Sequence, residues 1–156
     1  MNIKIIAVGR LKEKFLKDGI DEFLKRLKPY CSLEVTEISP IEITDENIID
    51  KVLKDEGEFI LSKIKPDSYV VTLEINGKTL SSEKFSSHIK EVMNSGVSEL
   101  VFVIGSSCGL GQNISSRANF KLSLSPMTFL HQFARLILIE QIYRAFKIMK
   151  GEKYHK

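Results

Sequence analysis

The residues best suited to chemistry lie in the last third of the chain, from Glu99 to Lys156. It reads ELVFVIGSSCGLG, a polar interval, KLSLSPMTF, and then LHQFARLILIEQIYRAFKIMKGEKYHK. Gly105, Gly109 and Gly111 let backbone approach a small ligand closely. The loop lacks the Lys-Ser/Thr of a P-loop and does not match G-x-G-x-x-G, so it favours neither ATP nor a dinucleotide. Taken alone, the same glycines would serve as tight turns. In the segment that follows, at about 100° per residue, His131 and Arg135 are neighbours on one helix face, and Glu140, Arg144 and Lys147 lie almost opposite. His131 alone reads equally as a satisfied helix-end histidine, and Tyr154-His155-Lys156 as a frayed terminus.

Holding two such loops beside a helix calls for a sheet, and the chain supplies its strands in alternation with helices. Asn2 to Val8 is a short apolar strand closed by Gly9. Glu13 to Leu27 places Phe15, Leu16, Ile20, Phe23, Leu24 and Leu27 at helical spacing, with Pro29 just beyond. Ser32 to Ile38 alternates apolar and polar residues, as an edge strand does. A helix from Ile48 to Ile64 carries Gly57 and is capped from the stretch around Thr44 and Asn47. Ser68 to Ile75 is a β-branched strand that the Asn76-Gly77 turn signal should end, before a helix from Ser81 to Ser95 capped by Ser81 or Ser82.

Leu100 to Ile104 is apolar throughout, which fits burial on both faces of a parallel sheet. Asn113 to Asn119 is a short helix, Phe120 to Leu124 a short strand, and Phe129 to Met149 a long helix ended by Gly151. This alternation specifies one α/β domain over residues 1–156, with a mostly parallel sheet and helices on both faces. Ligands of such sheets bind beyond the carboxyl ends of the strands, which points to Leu73-Glu74-Ile75, Gly105 to Leu110 and Leu124 to Phe129. So apolar a final helix suggests that part of its surface meets a second subunit.

Composition narrows the setting. The two cysteines, Cys31 and Cys108, form neither a disulfide framework nor a metal cluster, so a reducing cytoplasm and no metal are expected. No apolar run reaches the roughly 20 residues needed to span a bilayer, and no membrane partner is expected. Net charge is only +3, but residues 1–30 carry eight Lys/Arg against four Asp/Glu, and residues 135–156 carry six against two. If these two basic ends meet in space, they form a surface suited to a phosphate backbone. On charge alone the lysines could instead simply solvate helix faces.

The stretches IIAVGRLKEKF, VFVIGSSCGL and SLSPMTFLHQFARLILIEQIYRAFKIMKGEKYHK resemble, essentially end to end, the RlmH family of SPOUT-class methyltransferases. The specific part is an ordered combination: VIG-x-x-x-G, LS-x-x-T-hydrophobic-x-H, Y-R-A-hydrophobic and a terminal Y-H. Ser106 stands where the family commonly has a second Gly, and Leu130 where many members have Pro. The resemblance implies a homodimer whose C-terminal segment is threaded into a trefoil knot, a topology that periodicity alone would not suggest. It implies S-adenosylmethionine as cofactor and methylation of N3 of a pseudouridine in a stem-loop of large-subunit (23S) ribosomal RNA, on the assembled ribosome.

The cofactor residues carried over are Leu73, Gly105, Leu124, Ser125, Pro126, Met127, Thr128 and Phe129. His155 and Tyr154 are expected to reach the partner subunit's cofactor site, with His131 and Arg135 ordering the pocket and RNA. Arg10, Lys12, Lys14, Arg144, Lys147, Lys150, Lys153 and Lys156 are candidate RNA contacts, and no DNA partner is expected. The rivals are an RNA- or ribosome-binding module that keeps the fold without catalysis and, without the resemblance, a nucleotide-binding α/β protein.

Overall fold

The computed structural model describes residues 1–154, so His155 and Lys156 lie outside the described residues. Five parallel strands form one sheet: β1 (Asn2–Val8), β2 (Ser32–Ile38), β3 (Tyr69–Thr79), β4 (Glu99–Ile104) and β5 (Phe120–Ser123), in the order β2-β1-β4-β3-β5. Between and after them run α1 (Lys14–Leu27), α2 (Ile49–Leu61), α3 (Ser82–Asn94), α4 (Gln112–Arg117) and α5 (His131–Met149). The half-polar β2 is an edge strand, and the apolar β1 and β4 are central.

Because successive side chains of a strand point to opposite faces, one strand feeds two cores. Ile3, Ile5 and Ala7 of β1, with Phe102 and Ile104 of β4, join the core beneath α1, α3 and α5. Ile6, Val8, Val101 and Val103 join the second core, with Ile60 of α2 and Ile114 of α4. Continuous apolar runs are what this two-sided burial demands. Truncating Phe102 to Ala would cost about 3–5 kcal/mol, because its ring is almost wholly buried.

Two close approaches depend on glycine. At Gly57, in the middle of α2, a Cβ would stand 2.2 Å from the Asn113 side chain. At Gly111, ahead of α4, it would stand 2.4 Å from the Leu53 carbonyl oxygen. Gly57 therefore weakens α2 locally but lets α4 close on it. Gly111, read from sequence as approaching a ligand, serves this helix contact.

The expectation that Asn76-Gly77 ends the third strand is overturned. β3 runs on to Thr79, and its register against β5 shifts so that Leu73 and Lys78 both stand opposite Leu122. A Cβ at Gly77 would lie 2.7 Å from the backbone of Leu122, so here glycine serves a bulge against a neighbouring strand. Helix α3 then starts as expected, with the Ser81 hydroxyl accepting from the Lys84 amide at 3.2 Å.

Helix α5 is apolar nearly all round because it is covered on several sides. It packs on α1 and α3 and buries Leu138, Ile139, Ile142 and Phe146. The Ser86 hydroxyl fastens α3 to it by donating to the Ala145 carbonyl at 2.8 Å. Its end is a Schellman motif: Gly151, at φ +65°, donates to the Ile148 carbonyl and Glu152 to that of Lys147, both at 3.0 Å. The chain thereby turns back along the helix.

Candidate active site

At the carboxyl ends of β3, β4 and β5 the three expected loops enclose a cavity of about 660 Å³, the size of a small-ligand site. Leu73, Gly105, Leu124, Ser125, Met127, Thr128 and Phe129 line it; Pro126 lies in the same loop but is not part of the lining. Ile104, Leu110 and Leu122 complete an apolar floor. Leu110 closes the expected loop from Gly105, whereas Ile104 and Leu122 are not singled out from the sequence although both stand within or beside the motifs. The loop after β4 closes as a turn in which Gly109, at φ +89°, donates its amide to the Ser106 carbonyl at 2.9 Å. A Cβ at Gly105 would lie 2.3 Å from the Gly109 carbonyl oxygen, so Gly105 is needed for the loop to fold on itself.

The loop after β5 is held by its own serines. The Ser123 hydroxyl donates to the Ser125 carbonyl at 3.1 Å, and the Ser125 hydroxyl accepts from the Met127 amide at 2.9 Å. Helix α5 begins immediately after, so its first residue, His131, borders the cavity together with Ala134. The ring of His131 lies over Gly9 at the end of β1. Partial burial, with the Arg135 and Lys12 charges nearby, lowers the His131 pKa, which keeps the imidazole neutral at pH 7. Glu74, also in the lining, holds its carboxylate against two hydroxyls, Thr72 Oγ1 at 2.7 Å and Ser115 Oγ at 3.1 Å.

Arg135 is not in the lining. Its side chain is wholly buried, donating from Nη1 to Glu37 at 2.6 Å and from Nη2 to the Gly9 carbonyl at 3.1 Å. Glu37 also accepts from the Leu11 amide at 3.2 Å. A side chain with no exposed surface makes no direct RNA contact, so any ordering by Arg135 acts through the groups it holds. It ties α5 to the segment after β1, which carries Arg10 and Lys12.

Among the described residues the two basic ends meet only in part: Tyr30, just past the end of α1, bonds Glu152 and Lys147, whereas the candidate RNA contacts of the first end lie elsewhere. Arg10, Lys12 and Lys14 are exposed near the start of α5, where the Lys12 amide donates to Gln132 at 3.2 Å. Arg144, Lys147, Lys150 and Lys153 lie at or beyond its other end, and a 19-residue helix spans about 28 Å. Three of these seven cations are engaged internally: Lys14 with Asp18 at 2.5 Å, Arg144 with Glu140 at 2.5 Å, and Lys147 with Glu152. Lys156 and the expected catalytic His155 lie outside the described residues.

Tyr154 docks on its own α5, remote from its own cavity. Its hydroxyl donates to Glu140 at 3.0 Å, its ring meets Tyr143 edge-on at 4.9 Å, and the Arg144 guanidinium lies 4.7 Å above it. Burial and the Glu140 carboxylate raise the Tyr154 pKa, so the phenol stays protonated.

Among the described residues no His/Cys/Asp/Glu cluster could hold a metal, and no helix is long and apolar enough to cross a membrane. The sequence model of a family described as "Predicted SPOUT methyltransferase" matches residues 1–155. The chain is also 53% identical, over the whole of both chains, to a protein of Carboxydothermus hydrogenoformans named "Ribosomal RNA large subunit methyltransferase H". A match over essentially the full length, with the family's loops gathered around one cavity, makes this chain a member of the SPOUT methyltransferase family.

Proposed function

We propose that this methyltransferase acts on large-subunit ribosomal RNA, transferring a methyl group from S-adenosylmethionine to N3 of a pseudouridine in a stem-loop of the assembled ribosome. The observation that carries this reading is the convergence of Leu73, Gly105 and the Leu124 to Phe129 loop on one cavity in a chain half identical to a ribosomal RNA methyltransferase. A non-catalytic RNA-binding module is the poorer reading, since the cofactor loops line an open cavity of ligand size. The whole chain is read as one domain working in the cytoplasm, with its C-terminal segment threaded as the trefoil knot of the family.

The lining suits the cofactor. Leu73, Leu110, Leu122 and Leu124 offer apolar surface to a purine, loop backbone groups offer hydrogen bonds, and Glu74 offers a carboxylate. When bound, S-adenosylmethionine supplies an already activated methyl group, which leaves alignment and deprotonation of N3 to the protein. Neutral His131 is suited to accepting a hydrogen bond at the cavity edge. Protonated Tyr154 is suited to positioning by donation and not to acting as a base.

A homodimer fits the surface beside the cavity. Ile75, Met127 and Leu130 are 70%, 74% and 68% exposed, and Phe15 packs on Phe133 in the open at 5.8 Å. A second copy covering this surface would bring its own tail to the cavity, giving Tyr154 and His155 the positioning role.

Methyl transfer from labelled cofactor to ribosomes lacking the modification, compared with free RNA, tests the reading. Incorporation at one pseudouridine, preferring ribosomes, is expected, and no incorporation into either would overturn it. His155→Ala is expected to reduce turnover about 100-fold or more while cofactor affinity changes little. Unchanged turnover would remove His155 from the mechanism.

A further inference from the structure

We propose that Glu74 is the counter-charge of the cavity for a cationic nucleoside, so that the sulfonium cofactor is held more tightly than its neutral thioether product. The inference rests on the assignment of S-adenosylmethionine to this site. Among the described residues that line the cavity, Glu74 is the one carboxylate; Cys108 and His131 are the other titratable side chains. Its surroundings set it apart from the other carboxylates described above. Glu37 is paired with Arg135, Glu140 with Arg144, and Glu152 with Lys147. Among the described residues, Glu74 is held only by neutral hydroxyls, from the fully buried Thr72 on β3 and the buried Ser115 on α4.

Two hydroxyl donors fix the carboxylate and ease its burial without cancelling its charge. An uncancelled negative charge beside apolar leucines acts through a medium of lower dielectric than water, where its attraction for a cation is stronger. The placement follows from the strand. Leu73 faces the core beneath α5, and Glu74, one residue on, points to the opposite face with Thr72. One strand end thus offers apolar surface for a base and a charge for the rest of the ligand.

The reaction explains the use of such a charge. As the S–CH3 bond breaks, its electron pair stays on sulfur and the positive charge there is lost. The N3–CH3 bond forms and the N3 proton passes to solvent. A carboxylate near the sulfur favours the reactant form over the product, promoting exchange of spent cofactor for fresh.

Calorimetric titration of the full chain with S-adenosylmethionine and with S-adenosylhomocysteine tests this. Wild type is expected to bind the sulfonium compound at least about fivefold more tightly. Glu74→Gln keeps the shape and an acceptor for Thr72; it should weaken sulfonium binding about tenfold and thioether binding less than about threefold, with its thermal midpoint near that of wild type. Glu74→Asp should retain most of the preference. Equal weakening of both ligands, or of neither, would overturn the proposal, as would a wild-type protein without preference, whatever the variants do. Wild-type protein that binds neither compound would instead overturn the cofactor assignment on which the inference stands.

Discussion

The two ends of α5 are built on opposite principles. Along its second half and just beyond, the polar groups answer one another: Glu152 takes Lys147 and the Tyr30 hydroxyl, and Glu140 takes Arg144 and the Tyr154 hydroxyl. The rings of Tyr30, Tyr143, Phe146 and Tyr154 fill the space between. At the first turn the arrangement is the reverse. His131 faces an open cavity, Leu130 and Phe133 face solvent, and Arg10 and Lys12 stand exposed beside them. One end spends its polar groups on closing the fold, and the other leaves them available to a ligand or a partner.

Arg135 joins these regimes, since its buried guanidinium sits a single turn from the cavity and holds the open end in place through Nη1 and Nη2. Arg135→Ala should give the largest effect, a loss of about 3 kcal/mol in urea unfolding, because it leaves Glu37 without its cation and removes a buried side chain. Arg135→Lys, which cannot reproduce the forked geometry, should recover only part of it. A loss below about 1 kcal/mol for the alanine variant would show that the open end does not depend on this anchor.

The cations of the two ends should separate by measurement. Lys12→Ala should lower the salt dependence of RNA binding by about 0.7 in the slope of log K against log salt, with stability unchanged. Lys147→Ala should do the reverse, leaving the slope nearly intact and lowering the urea midpoint, since its ammonium is held by Glu152 and Tyr30. Equal slopes for the two variants would break the distinction between spent and available charge.

Much of this arrangement is legible in the sequence. Apolar strands with helical spacing between them specify the α/β alternation, and motif order locates the three loops, because both depend on local pattern. Three features are not. Gly77 reads as a turn because the backbone of β5 that it must pass lies 45 residues further along the chain. Arg135 reads as a surface partner of His131 because Glu37, the group that buries it, comes from β2. Glu74 stands at an expected ligand-binding strand end, but what holds its carboxylate is not legible, since the hydroxyl of Ser115 that fixes it arrives from α4. Leu130 shows the converse. Its φ of −52° is one a proline would also adopt, so the family's Pro and this chain's Leu serve the same backbone.

The smallest expected effect concerns His131, and its sign is set by the open end. Burial and the Arg135 and Lys12 charges oppose its protonation in the folded chain, so the unfolded chain binds the proton more readily. Above the ordinary histidine range the ring is neutral in both states and contributes nothing. As pH falls through about 6.5 the unfolded state gains protons first and stability declines, until the folded pKa is passed and the loss levels off. His88 on α3, lowered in the same direction chiefly by burial, adds to the slope. His131→Gln should therefore flatten the fall in unfolding free energy between about pH 7 and 5 without abolishing it. If a cofactor fills the cavity and excludes water from the ring, saturating S-adenosylmethionine should steepen the wild-type decline and leave that of the variant unchanged, because only a group at the open end changes its surroundings when the ligand binds.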